Sequence, residues 1–488
     1  MGEQISRTDY SEADFEAYAD RVAQQQRQLA ELLEQWPFDL AHPRAGMELE
    51  INLVDPEAAP VPLADQVLKA INDPQFVHEL GHFNIELNLP PRQLGPTGLT
   101  AFYETLRSAL NDADQRASGL NAQLAVIGIL PTLTADDLTA DALVDEPRYK
   151  VLDEQLRRLR GGDVRIQLPD TELAAGISFD SITPEAACTS QQIHLQVGPS
   201  QFPAYWNASQ AIAGVQLAMG ANSPFFAGRL GYAESRIAVF DQSTDDRSAE
   251  RVRSGERPRV FFGERWITSV LDLFTENAGY RPLLPELSEE AEETDGVPEL
   301  RELNLLNGTI YRWNRAVYDV AGGAPHLRIE NRVLPAGPTS LDMIANLALY
   351  AGLARALAEQ EHSAWSEEGF AVARDNFSAG QRLGIEAELV WPGLGSVPAP
   401  VLVLEHLLPL AAAGLQSFGV EAAEVTRYLG VIEQRAMARV NGATWQTAAV
   451  KARERAGETR EEALRGMVQD YLALQRTGQP VHEWELSR

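Results

Sequence analysis

Residues 47–53 read Met-Glu-Leu-Glu-Ile-Asn-Leu, a strict alternation of apolar and polar side chains that is typical of a β-strand. Alternate side chains of a strand point to the same face, so Glu48, Glu50 and Asn52 share one face. The apolar residues between them form the opposite face. The segment therefore predicts a sheet with an apolar back and an acidic front.

Three other segments show the same alternation. Their polar positions are Asn84, Glu86 and Asn88 in residues 83–89, Gln192, His194 and Gln196 in residues 192–197, and Arg328, Glu330 and Arg332 in residues 327–333. Pro90 and Pro91 predict the end of the second strand, because proline lacks the N–H group that strand pairing uses. Taken singly, each strand is also typical of an antiparallel sheet with one solvated face.

The side chains of the four polar faces favour a binding site over a solvated surface. They are carboxylates, carboxamides, an imidazole and arginines, whereas solvated faces usually carry lysine, threonine and serine. Carboxylates on one face repel one another unless cations neutralise them, and such oxygen-rich clusters suit Mg²⁺ or Mn²⁺. Arginines beside them suit phosphate oxygens. The strands therefore predict a face that binds metal ions and a nucleotide.

Composition excludes several classes of protein. The 488-residue chain has 44% hydrophobic and 23% charged residues, as in soluble globular proteins. Its formal net charge of −29 repels nucleic acid and anionic membranes, so we expect neither as a partner. The apolar run from Val401 to Leu415 is interrupted by Glu405 and Pro409 and is shorter than the roughly 18 residues of a membrane span.

Two further features predict a cytoplasmic protein. Cys188 is the single cysteine, so the chain forms no internal disulfide. Its first 20 residues contain six acidic side chains and no apolar leader segment.

The pattern along the chain predicts three parts. Residues 1–40 contain an N-terminal helix over residues 12–36, and residues 41–360 form a core in which strands and helices mix. A helix over residues 340–359 follows a proline break, with Thr339 or Ser340 as its N-cap. Residues 361–488 form a helical C-terminal part that packs on the core.

A competing motif lies between the first two strands. His78-Glu79-Leu80-Gly81-His82 matches H-E-x-x-H, in which two histidines one helical turn apart bind zinc and the glutamate is a general base. That site requires a continuous helix and a third ligand downstream. A strand is predicted from Phe83, and the next histidine is His194. A zinc protease is therefore the weakest of the alternatives.

Several motifs in order resemble the glutamate–cysteine ligase type 2 family of carboxylate-amine ligases. They are Gly46–Glu50, Ile85–Pro91, Thr189–Val197, Ala221–Arg229 with Tyr232 and Ser235-Arg236, Arg328–Arg332, and a C-terminal element at Gly442–Gln446. The resemblance implies an α+β fold similar to glutamine synthetase. In that fold helices lie outside a curved antiparallel sheet, and ATP and Mg²⁺ (or Mn²⁺) bind on the concave face.

The resemblance also implies roles for individual residues. Metal ligands would be Glu48, Glu50, Glu86 and Glu330, with Glu79 at a position where some members have an acidic ligand. Arg332, Arg236 and Glu330 would be catalytic, and Gln192, His194, Arg229 and Arg328 would bind the nucleotide. Arg229, Arg236 and Arg332 would contact phosphate or substrate carboxylate, with structural ion pairing as the alternative. Gln192 departs from the family, in which many members have histidine, and His194 lies one pleat away.

The implied reaction is ATP-dependent amide formation. A substrate carboxylate would attack the γ-phosphate to give an acyl phosphate, and an amine would then displace phosphate. By resemblance the default substrates are glutamate and cysteine, so the expected partners are small amino acids and ATP. The alternative is a non-catalytic relative that binds metal or nucleotide. No feature of the sequence specifies an oligomeric state.

Overall fold

The computed structural model describes residues 5–38, 44–288, 293–360 and 365–486. A seven-stranded antiparallel sheet forms its centre, in the order β12-β13-β7-β1-β3-β2, with β4 paired to the end of β1. The strands are β1 Arg44–Val54, β2 Phe76–His78, β3 Asn84–Gln93, β4 Gln123–Ala125, β5 Val164–Ile166, β6 Ile177–Phe179, β7 Ser190–Gln196, β8 Phe225–Phe226, β9 Arg229–Leu230, β10 Glu293–Thr294, β11 Val297–Pro298, β12 Asn314–Ala321, β13 Ala324–Pro335, β14 Glu388–Trp391 and β15 Gly395–Pro398.

The four predicted strands are confirmed as β1, β3, β7 and β13, and they are neighbours in this sheet. Their register places the polar faces side by side. Glu50 pairs with Glu86, and Glu48 lies between Asn88 and Gln192. Directly paired residues of antiparallel strands point to the same face, so the polar positions of four distant segments form one surface. We call this surface the front face.

The predicted end of β3 at Pro90 is wrong. The strand continues to Gln93, which pairs with Arg44, and a β-bulge lies between Ala45 and Met47 of the partner strand. Both prolines lie opposite this bulge. Strand pairing is interrupted there, so the N–H groups that proline lacks are not needed for hydrogen bonds between the strands.

Sixteen α-helices surround the sheet in the described part of the chain. They are α1 Glu12–Gln35, α2 Ala64–Ile71, α3 Gly98–Ser118, α4 Pro147–Arg160, α5 Phe202–Gly220, α6 Ser235–Ser243, α7 Ala249–Arg253, α8 Val270–Asn277, α9 Arg301–Asn307, α10 Ser340–Ala358, α11 Gly369–Leu383, α12 Ala399–Leu402, α13 Leu408–Ser417, α14 Ala422–Ala438, α15 Gly442–Arg455 and α16 Arg460–Thr477. The predicted helices at 12–36 and 340–359 are confirmed, and Thr339 caps the second.

The apolar back of the sheet is covered by α5 and α10, two helices whose residues are mostly buried. Apolar residues of four central strands are fully buried there: Leu49, Ile51, Leu87, Ile193 and Ile329. Helices α13 and α14 pack on α10 in turn. The stack of sheet and helices supports the front face from behind. The division at residues 40 and 360 stays a prediction.

Two helical runs are long and apolar enough to cross a membrane, judged by length and composition alone. They are α10, whose apolar window is 72% buried, and residues Ala399–Ser417, with 44% buried. The second run is longer than the sequence predicted, because the helix passes through Glu405 and Pro409. A π-helical turn at Val403–Leu407 precedes the proline and adjusts the backbone there.

A buried ion pair joins the C-terminal part to the core. Arg435 of α14 donates to Asp342 of α10 at 2.8 Å, and both side chains are almost fully buried. Arg435 also donates to Asn346 at 2.7 Å, and Asp342 accepts the Val481 N–H at 3.1 Å. One carboxylate therefore holds two C-terminal segments.

We predict that Asp342→Ala lowers the free energy of unfolding by about 3–5 kcal/mol, because it leaves the buried Arg435 charge uncompensated. Urea denaturation measures the change. Asp375→Ala is the control, since Asp375 is exposed beside Arg374 at 4.0 Å and should matter by less than about 0.5 kcal/mol. Equal effects of the two substitutions would contradict the prediction.

Candidate active site

A cavity of about 160 Å³ lies over the front face, and we call it the first cavity. The sheet forms its floor, while α4, α6 and the loops before β7 and β12 form its walls. Of the residues implicated by the sequence, it is lined by Glu48, Glu50, Glu79, Glu86, Gln192, Arg236, Arg328, Glu330 and Arg332. The fold therefore brings together nearly all of the predicted site, from segments far apart in the chain.

Three carboxylates form the acidic triad: Glu50, Glu79 and Glu86. One oxygen of each lies within 4.8 Å of the others. The pairing of β1 with β3 sets Glu50 beside Glu86, and the turn before β3 adds Glu79. Burial and the neighbouring carboxylates Glu50 and Glu86 raise the pKa of Glu79 well above its ordinary value. Burial, Glu48 and Glu50 raise the pKa of Glu86 to about 7.

Hydrogen-bond donors hold Glu50 in place. The Ser190 N–H donates to its carboxylate at 2.7 Å, the Ser190 hydroxyl at 3.0 Å and the Gln192 amide at 2.8 Å. Burial nevertheless raises the pKa of Glu50. Three carboxylates that approach one another in this way, two of them buried and that of Glu79 half-buried, suit a hard divalent cation such as Mg²⁺ or Mn²⁺. The acidic triad therefore fits the metal that the sequence implied.

Glu48 belongs to a different electrostatic group. Its Oε1 lies 3.1 Å from His194 Nε2, and His194 Nδ1 accepts a hydrogen bond from Arg328 Nε at 3.1 Å. Burial opposes ionisation of Glu48, but the nearby His194 and Arg328 lower its pKa on balance. His194 also pairs with Glu330 across β7 and β13. The imidazole thus stands between two of the predicted metal ligands.

Gln192 has a bridging position one pleat away from His194. Besides donating to Glu50, it accepts a hydrogen bond from Arg332 at 3.1 Å. A histidine remains on the front face despite the departure from the family pattern at Gln192. The sequence could not decide between the two positions, because both point to the same face.

Glu330 is gripped by two arginines. Arg315 donates to its two oxygens at 3.1 and 2.6 Å, and Arg332 Nε lies 3.1 Å from Oε1. Although burial acts against ionisation, these arginines lower the pKa of Glu330 to about 2. Arg332 also lies over the rings of Phe240 and Tyr311, at 5.9 and 5.8 Å. Its guanidinium is therefore fixed at the cavity wall.

The other two predicted arginines differ from Arg332. Arg236 lines the cavity but is 2% exposed, and it donates to Glu234 at 2.8 Å and to the Val333 carbonyl. This pairing favours a structural role, in which Arg236 holds the backbone of β13 beside Arg332. Arg229 is exposed on the β8–β9 hairpin and is not among the residues that line the cavity. The structure does not bring it to the site.

The H-E-x-x-H stretch is not helical. His78 is the last residue of β2, and residues 79–83 turn toward β3. His78 instead contacts Asp65 at 2.6 Å, while Glu79 joins the acidic triad. The two histidines are therefore not one helical turn apart, and the geometry of a zinc protease is missing.

Sequence reasoning missed several residues of the first cavity: Arg148, Tyr149, Glu185, Tyr311 and Arg315. Most of them come from α4 and from loops, where no alternation marks the side that faces the cavity. Arg315 lies on β12 and pairs directly with Glu330, so its strand position was the one available signal. Burial and the Glu50 charge raise the pKa of Glu185 to about 7.

A second cavity of about 480 Å³ adjoins the first and shares Glu48 and Arg328 with it. Its polar wall includes Arg44, His194 and His326. Its apolar wall is formed by Met47, Leu89, Pro90, Pro91, Ala321, Ala324 and Pro325. The row of Glu48, His194 and Arg328 therefore separates a cavity that contains the acidic triad from one with a basic side and an apolar side.

Comparison with known families identifies the class of protein. The family model of glutamate-cysteine ligase family 2 matches residues 44–470, so the chain belongs to this family. The assignment places it among carboxylate-amine ligases. A sequence comparison with curated proteins finds no match.

Solved structures share the fold at low sequence identity. Glutamate–cysteine ligase from Francisella tularensis, solved in complex with AMP, has 11% identity and a TM-score of 0.52 over 93% of this chain and 97% of its own. A bifunctional glutathione synthetase from Pasteurella multocida has 12% identity and a TM-score of 0.47 over 93% of this chain and 55% of its own. The complex of the ubiquitin-like protein Pup with its ligase PafA has 11% identity and a TM-score of 0.40 over 91% of this chain and 74% of its own. The first likeness confirms the predicted α+β fold, a curved antiparallel sheet with helices outside.

We predict that Glu86→Gln stabilises the chelator-treated protein at high pH. The folded chain keeps a proton on Glu86 up to about pH 7, whereas the ordinary pKa is 4.5. Because the folded state binds the extra proton, the unfolding free energy of the wild type should fall as pH rises from 4.5 to 7. The variant escapes this loss, so its melting temperature should exceed that of the wild type at pH 8 and match it near pH 4.5.

Adding Mn²⁺ at pH 8 should raise the melting temperature of the wild type more than that of Glu86→Gln. Glu172→Gln serves as the control, because Glu172 pairs with Arg460 at the surface. A pH dependence identical in all three proteins would contradict the prediction.

Proposed function

We propose that this protein is an ATP- and Mg²⁺-dependent ligase that joins a carboxylate to an amine through an acyl phosphate. The observation that carries the proposal is the division of the front face. Three carboxylates that lie within 4.8 Å of one another stand beside carboxylates that arginines and an imidazole already neutralise. A reaction that brings together metal ions, a triphosphate and a carboxylate needs both kinds of group in one site.

Glu50, Glu79 and Glu86 would hold one Mg²⁺ or Mn²⁺, and Glu48, His194 and Glu330 form a second candidate set. When bound, the ions neutralise charge on phosphoryl oxygens. Binding at the second set requires Arg315 to share or release Glu330, since it occupies both oxygens.

The second cavity suits the nucleotide. Its apolar wall, with Pro90, Pro91 and Pro325, offers a surface for a base, and Arg44 and Arg328 offer positive charge for phosphates. Because Glu48 and Arg328 line both cavities, a triphosphate there would point its terminal phosphate toward the first cavity. The acid and the amine would then meet it from that side.

Arg332 is the residue best placed to act on the phosphoryl group. Its planar guanidinium is fixed by Glu330, Gln192 and two aromatic rings, so it needs little reorganisation as charge develops. No nucleophilic side chain is required. Cys188 is buried, its thiol faces the carbonyls of Pro184 and Arg236, and burial raises its pKa well above the ordinary value.

Glutamate is our proposed carboxylate substrate, and cysteine or another small amine is our proposed acceptor, in a cytoplasmic enzyme. The family name supports this choice. The second candidate is a relative that binds metal and nucleotide without catalysis. The ion pair of Arg315 with Glu330 favours this candidate, because it occupies a predicted metal ligand.

Phosphate release from Mg-ATP, measured against a panel of amino acids singly and in pairs, tests the proposal. Release that depends on two amino acids is expected, and excess chelator should abolish both release and ATP binding in calorimetry. Tight ATP binding without release would favour the non-catalytic alternative. Equally tight binding in chelator would overturn the role of the metal.

We predict that Arg332→Lys lowers kcat by at least about tenfold, which corresponds to about 1.4 kcal/mol of transition-state stabilisation. Lysine keeps the charge but loses the planar fork that contacts two groups at once. Steady-state kinetics at saturating substrates measure the change. Arg229→Lys is the matched control, since Arg229 is exposed outside the cavity. Wild-type kinetics of Arg332→Lys would assign Arg332 to structure.

A further inference from the structure

Glu185 is an acidic residue of the first cavity that the metal sets do not include. It lies in the loop before β7, and neighbouring groups fix this loop firmly. Asp153 accepts the Ile182 N–H at 2.9 Å, and the Asn84 amide donates to the Ala186 carbonyl at 2.7 Å. The Cys188 N–H donates to the carbonyl of Glu185 itself at 2.9 Å. The backbone therefore presents this carboxylate at a defined place in the cavity wall.

The carboxylate of Glu185 differs from its neighbours in having no direct partner. Glu50 accepts three hydrogen bonds, and Glu330 is held by two arginines. Within the described ranges of the chain, no group donates a hydrogen bond to the side-chain carboxylate of Glu185 or forms an ion pair with it, although Arg332 and Arg148 act on it electrostatically. Glu185 is half-buried, and a carboxylate that is partly withdrawn from water without such a partner can receive a cation from a ligand.

The surroundings of Glu185 suit an organic cation better than a metal ion. Glu185 is not part of the acidic triad, and a divalent ion needs several oxygens from one site. Among the other residues that line the same cavity are apolar and aromatic side chains: Tyr149, Leu152, Ile182, Phe240 and Tyr311. A single carboxylate within such a wall can pair with one ammonium group while the wall contacts the carbon chain that carries it.

We infer that Glu185 binds the ammonium group of the amino acid whose carboxylate is activated at the front face. This inference rests on the proposed ligase function and adds a specificity-determining residue to it. The acid would enter the first cavity with its reacting carboxylate toward the acidic triad and Arg332, and its ammonium toward Glu185. An acid that lacks the amino group would leave Glu185 without a partner and would bind less well.

The test compares amino acids with their analogues that lack the amino group. L-glutamate is paired with glutarate and L-aspartate with succinate, and Mg-ATP-dependent phosphate release is measured with a panel of acceptor amines. The wild type should prefer the amino acid by at least tenfold in kcat/KM. Glu185→Gln should reduce this preference by at least tenfold through a higher KM for the amino acid, with kcat/KM for the analogue nearly unchanged. Glu172→Gln, at the surface, should keep the full preference.

Each outcome of this test has a separate meaning. If the wild type releases phosphate with none of the acids, the proposed function and the inference both fail. If the wild type turns over an amino acid but has no preference for it, or if Glu185→Gln keeps the preference, the inference alone is overturned. Loss of Mn²⁺ binding by Glu185→Gln in electron paramagnetic resonance titrations would make Glu185 a metal ligand and would also overturn it.

A second variant, Glu185→Asp, tests the inference independently if Glu185→Gln does not fold. Glu185→Asp keeps the charge but moves the carboxylate by one methylene group. It should raise KM for the amino acid several-fold and leave the analogue unaffected, whereas an equal change for both acids would contradict the inference. Melting temperatures of both variants in chelator establish that each is folded.

Discussion

Repulsion between carboxylates on a largely buried sheet face is the constraint on which the rest of this structure depends. Several buried or half-buried glutamates share the front face and the cavity above it, and their mutual repulsion favours neutralisation, hydrogen bonding or protonation. Glu48 is neutralised by His194 and Arg328, and Glu330 by Arg315 and Arg332. Such a face is stable only on a rigid support, which the apolar back of the sheet and the helices behind it provide.

The carboxylates of the acidic triad lie beside one another instead, and this difference divides the front face into two parts. Glu79 and Glu86 have raised pKa values because burial and neighbouring carboxylates dominate, while Glu330 has a lowered one because arginines dominate. Glu79 and Glu86 therefore favour binding of an additional cation, whereas Glu330 is already neutralised. One side of the face attracts metal ions, and the other is prepared for anions such as phosphate.

Arginines that look equivalent in the sequence have different tasks in the fold. Arg332 lies over an aromatic ring and faces the cavity. Arg236 is bound by Glu234 and the backbone of β13, and Arg229 is at the surface. The difference arises from the elements that carry them. A strand of the central sheet points its polar residues into the cavity, whereas the start of α6 is buried and a short hairpin is exposed.

The sequence by itself determined the strands and their polar faces, because alternation with a period of two is a local property that each segment carries alone. The family followed from the resemblance of several motifs in order. It therefore predicted Glu48, Glu50, Glu86, Glu330 and Arg332 on one surface. Only the tertiary structure decided that Glu79 joins them from a turn and that Glu185 and Arg148 come from a loop and a helix. The same holds for the passage of β3 through its prolines. These features depend on pairing register and on packing between distant segments, which no local pattern encodes.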